Sequence, residues 1–340
     1  MKKKNNIKPF IIIQVICMAF FLTVDGYSAK WRVNKNTAVD ADFHTLQGAF
    51  DSSYVQANDT LYLEGAGGTY GSVNLYKPLV IIGPGYFLGE NNTNGASIAP
   101  ARITEIDFES GTAGSAIMGC TIERLDLFDN NIFIKRNKLM QAYMQVDGLS
   151  DIYFLQNYIY SPNDYECIFL RDNSSNIVIK NNFIKNTRTS YELAIEMEST
   201  ASAEIINNVI DGYLKIYNSV VQNNIMVDDT IRGTGNTFSH NISYRDLPSG
   251  TDNQEFVDMS SVFDTTCATC YSTDGQWQIL SGSVAEGAGV NGEDCGMYGG
   301  MEPYKLSGLP NIPSVYFFNA ATTGSATEGL SISIKAKSNK

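Results

Sequence analysis

Eight residues between Tyr143 and Glu198 have the types and spacing that chemistry on a sugar-like or charged ligand would need. Asp147, Asp172 and Glu198 each stand five residues before the first apolar position of a recurring phrase, at Ile152, Ile177 and Ala203. Neighbouring strands lie about 4.8 Å apart, and carboxylates in a row at that spacing repel unless a cation or basic group lies between them. The row Asp147, Asp172 and Glu198 is therefore a candidate Ca²⁺ site, because Ca²⁺ takes roughly six to eight oxygen ligands. Glu196 faces the same side as Glu198, as do Tyr143 and Gln145 one coil below, since side chains alternate along a strand. Together Tyr143, Gln145, Asp147, Asp172, Glu196 and Glu198 make a candidate binding row for a glycan. Catalysis would draw on the same flank. Asp172 with Glu196 would be a hydrolase pair of carboxyl groups, and Arg171 or Arg188 a lyase base. The plainer reading is that these are solvated turn acids, since Asp suits turns for its own reasons.

What would position such residues is a repeat. Ile132-x-Ile134-x-x-Asn137-x-Leu139 returns as Ile152-x-Phe154-x-x-Asn157-x-Ile159, as Ile177-x-Ile179-x-x-Asn182-x-Ile184 and as Ala203-x-Ile205-x-x-Asn208-x-Ile210. Looser copies surround Cys120, Asn224 and Asn241, and the markers are separated by 17, 20, 25, 26, 16 and 17 residues. Two apolar residues two apart make a short strand with one buried face. The Asn, tolerant of left-handed backbone, is expected to form the corner. One such coil cannot bury its own face, but stacked coils share a core. A fixed phrase at a variable interval puts insertions in the loops and predicts a parallel β-helix. Asn137, Asn157, Asn182, Asn208, Asn224 and Asn241 should then stack as a structural amide ladder.

Residues 1–29 read as a secretory signal, with Lys2, Lys3, Lys4 and Lys8 ahead of the apolar run Phe10 to Leu22. No transmembrane segment is expected after its removal. The net charge is −12, and still more negative without the lysine-rich leader, which argues against a nucleic-acid partner. Cys120 and Cys167 occupy repeat positions and read as core. Cys267, Cys270 and Cys295 lie outside the repeats and could form one disulfide whose partners the spacing leaves open. His44 and His240, the two histidines, read as structural.

Ahead of the repeats, Phe43, Leu46, Ala49 and Phe50 recur at helical spacing within Ala38 to Tyr54, a helix suited to capping the first coil. Asn58-Asp59 turns into a strand over Thr60 to Leu63, and Lys77 to Tyr86 is a strand ending in a Gly/Pro corner. The run Asp42-Phe43-x-Thr45-Leu46-Gln47, Asn58-Asp59-Thr60-Leu61-Tyr62-Leu63, Gly68-Thr69-Tyr70 and Lys77-Pro78-Leu79-Val80-Ile81-Ile82-Gly83 resembles the opening of bacterial right-handed parallel β-helix proteins of the pectate-lyase-like superfamily. The resemblance runs from about Val33 to Gly300. It implies an all-β, right-handed solenoid with an N-terminal helix cap and an irregular C-terminal cap over residues 30–300. A tail, 301–340, follows with a terminal strand near Leu330 to Ile334. Such openings occur in lyases, hydrolases and non-catalytic surface proteins alike, and the flank matches no catalytic motif of that superfamily. The expectation is a secreted or cell-surface monomer that binds polysaccharide, or another surface partner, along one flank without catalysis. The alternative is a polysaccharide lyase or glycoside hydrolase on an acidic polysaccharide, with Ca²⁺ as its cofactor. Exposed Tyr158, Tyr160 and Tyr165 would add sugar-stacking rings.

Overall fold

The computed structural model describes residues 28–91, 97–162, 165–187, 193–228, 230–267, 269–327 and 329–338. Residues 1–27 of the leader and Arg188 lie outside these residues. No helix among them is long and apolar enough to cross a membrane.

The chain is a parallel β-helix. Ten short strands, from Lys30–Val33 to Thr237–Ser239, stack into one parallel sheet, which we term the first face. The phrase explains its register: Ile132, Ile152, Ile177 and Ala203 lie on one rung, and Ile134, Phe154, Ile179, Ile205 and Val221 on another. All point inward and, apart from the slightly exposed Ala203, are essentially fully buried. They contribute to one continuous apolar core running the length of the stack.

A thirteen-stranded parallel sheet completes the coils and branches at Lys138–Met144. That strand pairs at its start with Tyr158–Ser161 and further along with Ile168–Leu170. The first branch continues through Phe183–Asn186, Val209–Asp211, Ile225–Asp228 and Ile242–Ser243 (the second face). The other continues through Leu193–Met197, Tyr213–Lys215 and Ile231–Arg232 (the third face). The long intervals of 25 and 26 residues thus have a location. Extra chain enters between second and third faces, after Ser161 and after Asn186, while the strand-corner-strand unit is untouched.

The corner differs from the sequence expectation by one residue. Left-handed backbone falls on Gly119, Arg136, Gln156, Asn181, Asn207, Asn223 and His240, each immediately before a ladder position. The ladder asparagines are fully buried and turned inward. Asn137 Nδ2 donates to Asn157 Oδ1 at 3.3 Å, and the same contact repeats at 3.0 Å from Asn157 to Asn182, Asn208, Asn224 and Asn241 in turn. It extends one step further, to Asn253. Parallel bridges Ser239–Thr251 and Ile242–Gln254 accompany that step, so a partial coil exists where the sequence rhythm is already lost.

At the N-terminal end the helix is shorter than the apolar spacing suggests, Leu46–Asp51, with Thr45 Oγ1 accepting from Gly48 N. Phe43 instead adds to the first face opposite Val33. Leu46, Ala49 and Phe50 still enter the core. Beyond Gln254 the chain folds back lengthwise along the second face as a strap that reaches Asn311. Cys267 and Cys270 are joined by a disulfide within it, and Cys295 is buried and free. After the strap, Pro313–Ala320 and Ile332–Ser338 form an antiparallel hairpin whose second strand is exposed throughout.

Candidate functional site on the third face

The register sets one outward row along the third face: Asn74, Asp107, Asp126, Tyr143, Phe169, Glu196, Lys215 and Arg232 sit on successive rungs. The inward row beside it is Ile106, Leu125, Ala142, Ile168, Ile195 and Leu214, fully buried. Tyr143 and Glu196 are therefore brought to one side, as their spacing implies. Gln145 lies just past the end of its strand, its backbone N–H donating to Leu127 O.

The turn carboxylates occupy stacked corners but are turned to other work. Asp147 pairs with Arg171 at 2.7 Å. Asp172 accepts from Thr200 Oγ1 at 2.7 Å and from Thr200 N at 3.2 Å, and Glu198 accepts from Asp172 N at 2.8 Å. Asp129 does the same one corner earlier, capping Gly111 N, Thr112 N and Ala113 N. Asp129, Asp172 and Glu198 satisfy turn backbone that would otherwise lack partners, and Asp147 is taken up by Arg171, so Asp147, Asp172 and Glu198 do not form a converging Ca²⁺ set. Arg171 is held by Asp147 and is not poised as a base, and Asp172 does not share the strand row with Glu196.

Three carboxylates do converge elsewhere on this face. Oxygens of Glu105, Asp107 and Asp126 lie within 4.8 Å of one another. Arg124 already bonds Asp126 at 2.9 Å and approaches Glu105 at 3.4 Å. Burial, reinforced by Asp126, Glu105 and Glu109, pushes the Asp107 carboxyl up to about 6.

The carboxylate facing Glu196 is one the phrase does not flag, Glu166. Burial, with the adjacent Glu196 carboxylate adding to it, holds the Glu166 carboxyl above the usual range. Tyr143 Oη donates toward Glu166, at 3.3 Å from its carbonyl and 3.4 Å from Oε2. On the other side Lys215 Nζ binds Glu196 Oε1 at 2.7 Å. The Arg124 guanidinium lies 5.4 Å from the Tyr143 ring centroid, and Phe169 meets that ring edge-on at 6.1 Å. Next to the Glu196–Lys215 pair is a cavity of about 310 Å³ lined by Leu193, Tyr213, Tyr217 and Arg232.

Of the other proposed rings, Tyr165 is well exposed and Tyr160 half-buried, but Tyr158 is buried. The strap covers Tyr158, which stacks on Phe183 at 4.7 Å. No family model matches the sequence, and no curated protein matches it.

Proposed function

We propose that this is an exported, pectate-lyase-like β-helix protein that binds a polysaccharide along its third face without turning it over. The observation that carries this is the outward row itself. It interleaves aromatic rings (Tyr143, Phe169) with acidic and basic groups (Glu196, Lys215, Arg232) at one residue per coil. A linear polymer presents apolar ring faces alternating with hydroxyl or charged groups, so a straight row of both kinds is a complementary surface. Most of the second face is covered by the strap and offers no such run. Export is supported by the lysine-rich apolar leader and by the Cys267–Cys270 disulfide, since disulfides persist in oxidising compartments.

The test is retention of the purified protein on a panel of immobilised neutral and acidic polysaccharides. Retention on at least one polymer is expected, with Tyr143→Ala and Lys215→Ala each weakening it about tenfold, the scale of a central contact residue. Retention unchanged in both variants would remove the third face from the binding surface. The Glu166 carboxyl, raised by burial beside Glu196, favours a second reading, a glycoside hydrolase with Glu166 as its acid. Release of reducing ends that disappears in Glu196→Gln and Glu166→Gln would establish that reading in place of the first.

A further inference from the structure

A second cavity, of about 570 Å³, opens on the second face where the strap stops covering it. Its floor is an outward row one residue per coil, Arg102, Thr121 and Lys138, and the next rung is the strap-covered Tyr158. The rings of Phe87 and Tyr160 and the side chain of Pro162 form apolar walls. The size is that of a small-molecule site with few polar groups against apolar lining.

Two features single this cavity out. The first is its cations. Lys138 is half-buried, its ammonium 4.8 Å from the Phe87 ring centroid, and Arg102 stands exposed at the mouth. Burial, together with the charge of Arg102, lowers the Lys138 ammonium from its usual range. Among the described residues neither cation has a carboxylate at ion-pair distance. Of the two lining acids, Glu90 accepts from Thr273 N at 2.8 Å, and Glu123 is exposed at the rim. A half-buried ammonium with no carboxylate at ion-pair distance is costly, and the charge of Glu90 offsets that only in part.

The second feature is Phe87, which holds φ at +49°, a conformation that bulky residues rarely adopt. The strap and the local turn both brace it, Glu90 N donating to Phe87 O at 3.0 Å. Ser307 O accepts from Tyr86 N at 2.9 Å, and Ser307 Oγ donates to Phe87 O at 3.2 Å. The result is a ring edge-on to Tyr158 at 5.1 Å and set against Lys138. Strain of this kind persists where surrounding structure enforces it, commonly at ligand sites.

We propose that this cavity binds a carboxylate carried on a six-membered ring, with Lys138 and Arg102 holding the anion and Phe87 and Tyr160 packing the ring. The site is independent of the third face. Titration of the full chain with benzoate and with glucuronate, against benzamide and glucose as neutral counterparts, tests it. At least one acid should bind about tenfold or more tighter than its counterpart, and which one does so separates an aromatic acid from a sugar acid. Lys138→Met should abolish the preference and Arg102→Gln should weaken it, while Tyr143→Ala on the other face should leave it intact. If Lys138→Met fails to fold, the exposed Arg102→Gln decides. No preference for either acid, a preference indifferent to Arg102 and Lys138, or one lost in Tyr143→Ala would overturn the proposal.

Discussion

Asn182 shows what one ladder residue does. Its Nδ2 donates to Phe154 O at 2.8 Å and to Asn208 Oδ1 at 3.0 Å, while its Oδ1 accepts from Asn157 N and Nδ2 at 2.8 and 3.0 Å. Truncation to Ala would take a partner from fully buried Asn157 N and Phe154 O on the preceding coil, while Asn208 Oδ1 keeps Asn182 N, and an unsatisfied buried group costs about 1–3 kcal/mol. Asn182→Ala should therefore destabilise by about 2–4 kcal/mol, read as a lower urea midpoint at unchanged slope. Exposed Asn173→Ala, outside the ladder, should cost only about 1 kcal/mol, for Ala in left-handed backbone; equal costs would refute the ladder's role. The ladder is readable in sequence because the inward strand residues around it repeat with it. Which residue takes left-handed backbone is not, because Asn at 181, 207 and 223 stands directly before Asn at 182, 208 and 224. Tyr158 looked exposed for a related reason. Alternation along a strand shows that it points out of the coil, not that another segment lies over it.

At the scale of elements, the strap was the least legible part, and it uses the same corners that the ladder uses. The left-handed residues point outward and bond its backbone: Gln156 Nε2 to Pro303 O at 2.7 Å, Asn181 Nδ2 to Gly299 O at 2.8 Å, Asn207 Nδ2 to Asp294 O at 3.1 Å. Each corner thus carries two ladders, one inward and one outward. The strap itself has no period, because its partners are spaced by the stack and not by its own sequence. Glu166 was missed for the same reason, lying in an inserted loop that keeps no register. The strap closes on Asp274, fully buried, which accepts from Asn91 Nδ2 at 2.7 Å, Ser307 N at 2.6 Å and Tyr304 Oη at 3.2 Å. Burial raises its carboxyl above the usual value, and those hydrogen bonds only partly oppose the rise. A folded-state value above the unfolded one means that Asp274 favours the fold fully at low pH. That contribution is lost as pH rises from about 4 through the raised value. The stability of wild type relative to Asp274→Asn should accordingly fall with rising pH over that window. A difference that rises or stays flat would show that Asp274 is not held in this state.

For the whole molecule, the strap changes how stability is shared. Coils in a solenoid contact only their neighbours, so unfolding tends to begin at an end and spread. Here the loop 84–91, three coils from the N-terminal end, is tied to residues beyond 270. Tyr86 Oη meets Tyr304 Oη at 2.7 Å, Asn91 bonds Asp274, and Arg136 Nη1 donates to Leu309 O at 2.9 Å. Trp277 lies between Phe183 at 4.5 Å and Phe263 at 5.2 Å, fixing the middle of the strap over the central coils. Opening the stack at either end must release contacts at the other, which makes a chain of local units behave as one. Removing the clasp with Tyr304→Ala should therefore do more than lower stability. It should split one urea transition into two or broaden it, with amides of Thr60–Leu63 and Val80–Ile82 exchanging earlier than those of Ile177 and Ile205. A variant that keeps a single transition of unchanged slope, with exchange uniform along the stack, would mean that the inward ladder and core alone make the solenoid cooperative. The strap would then serve only to cover the second face and shape the cavity at its edge.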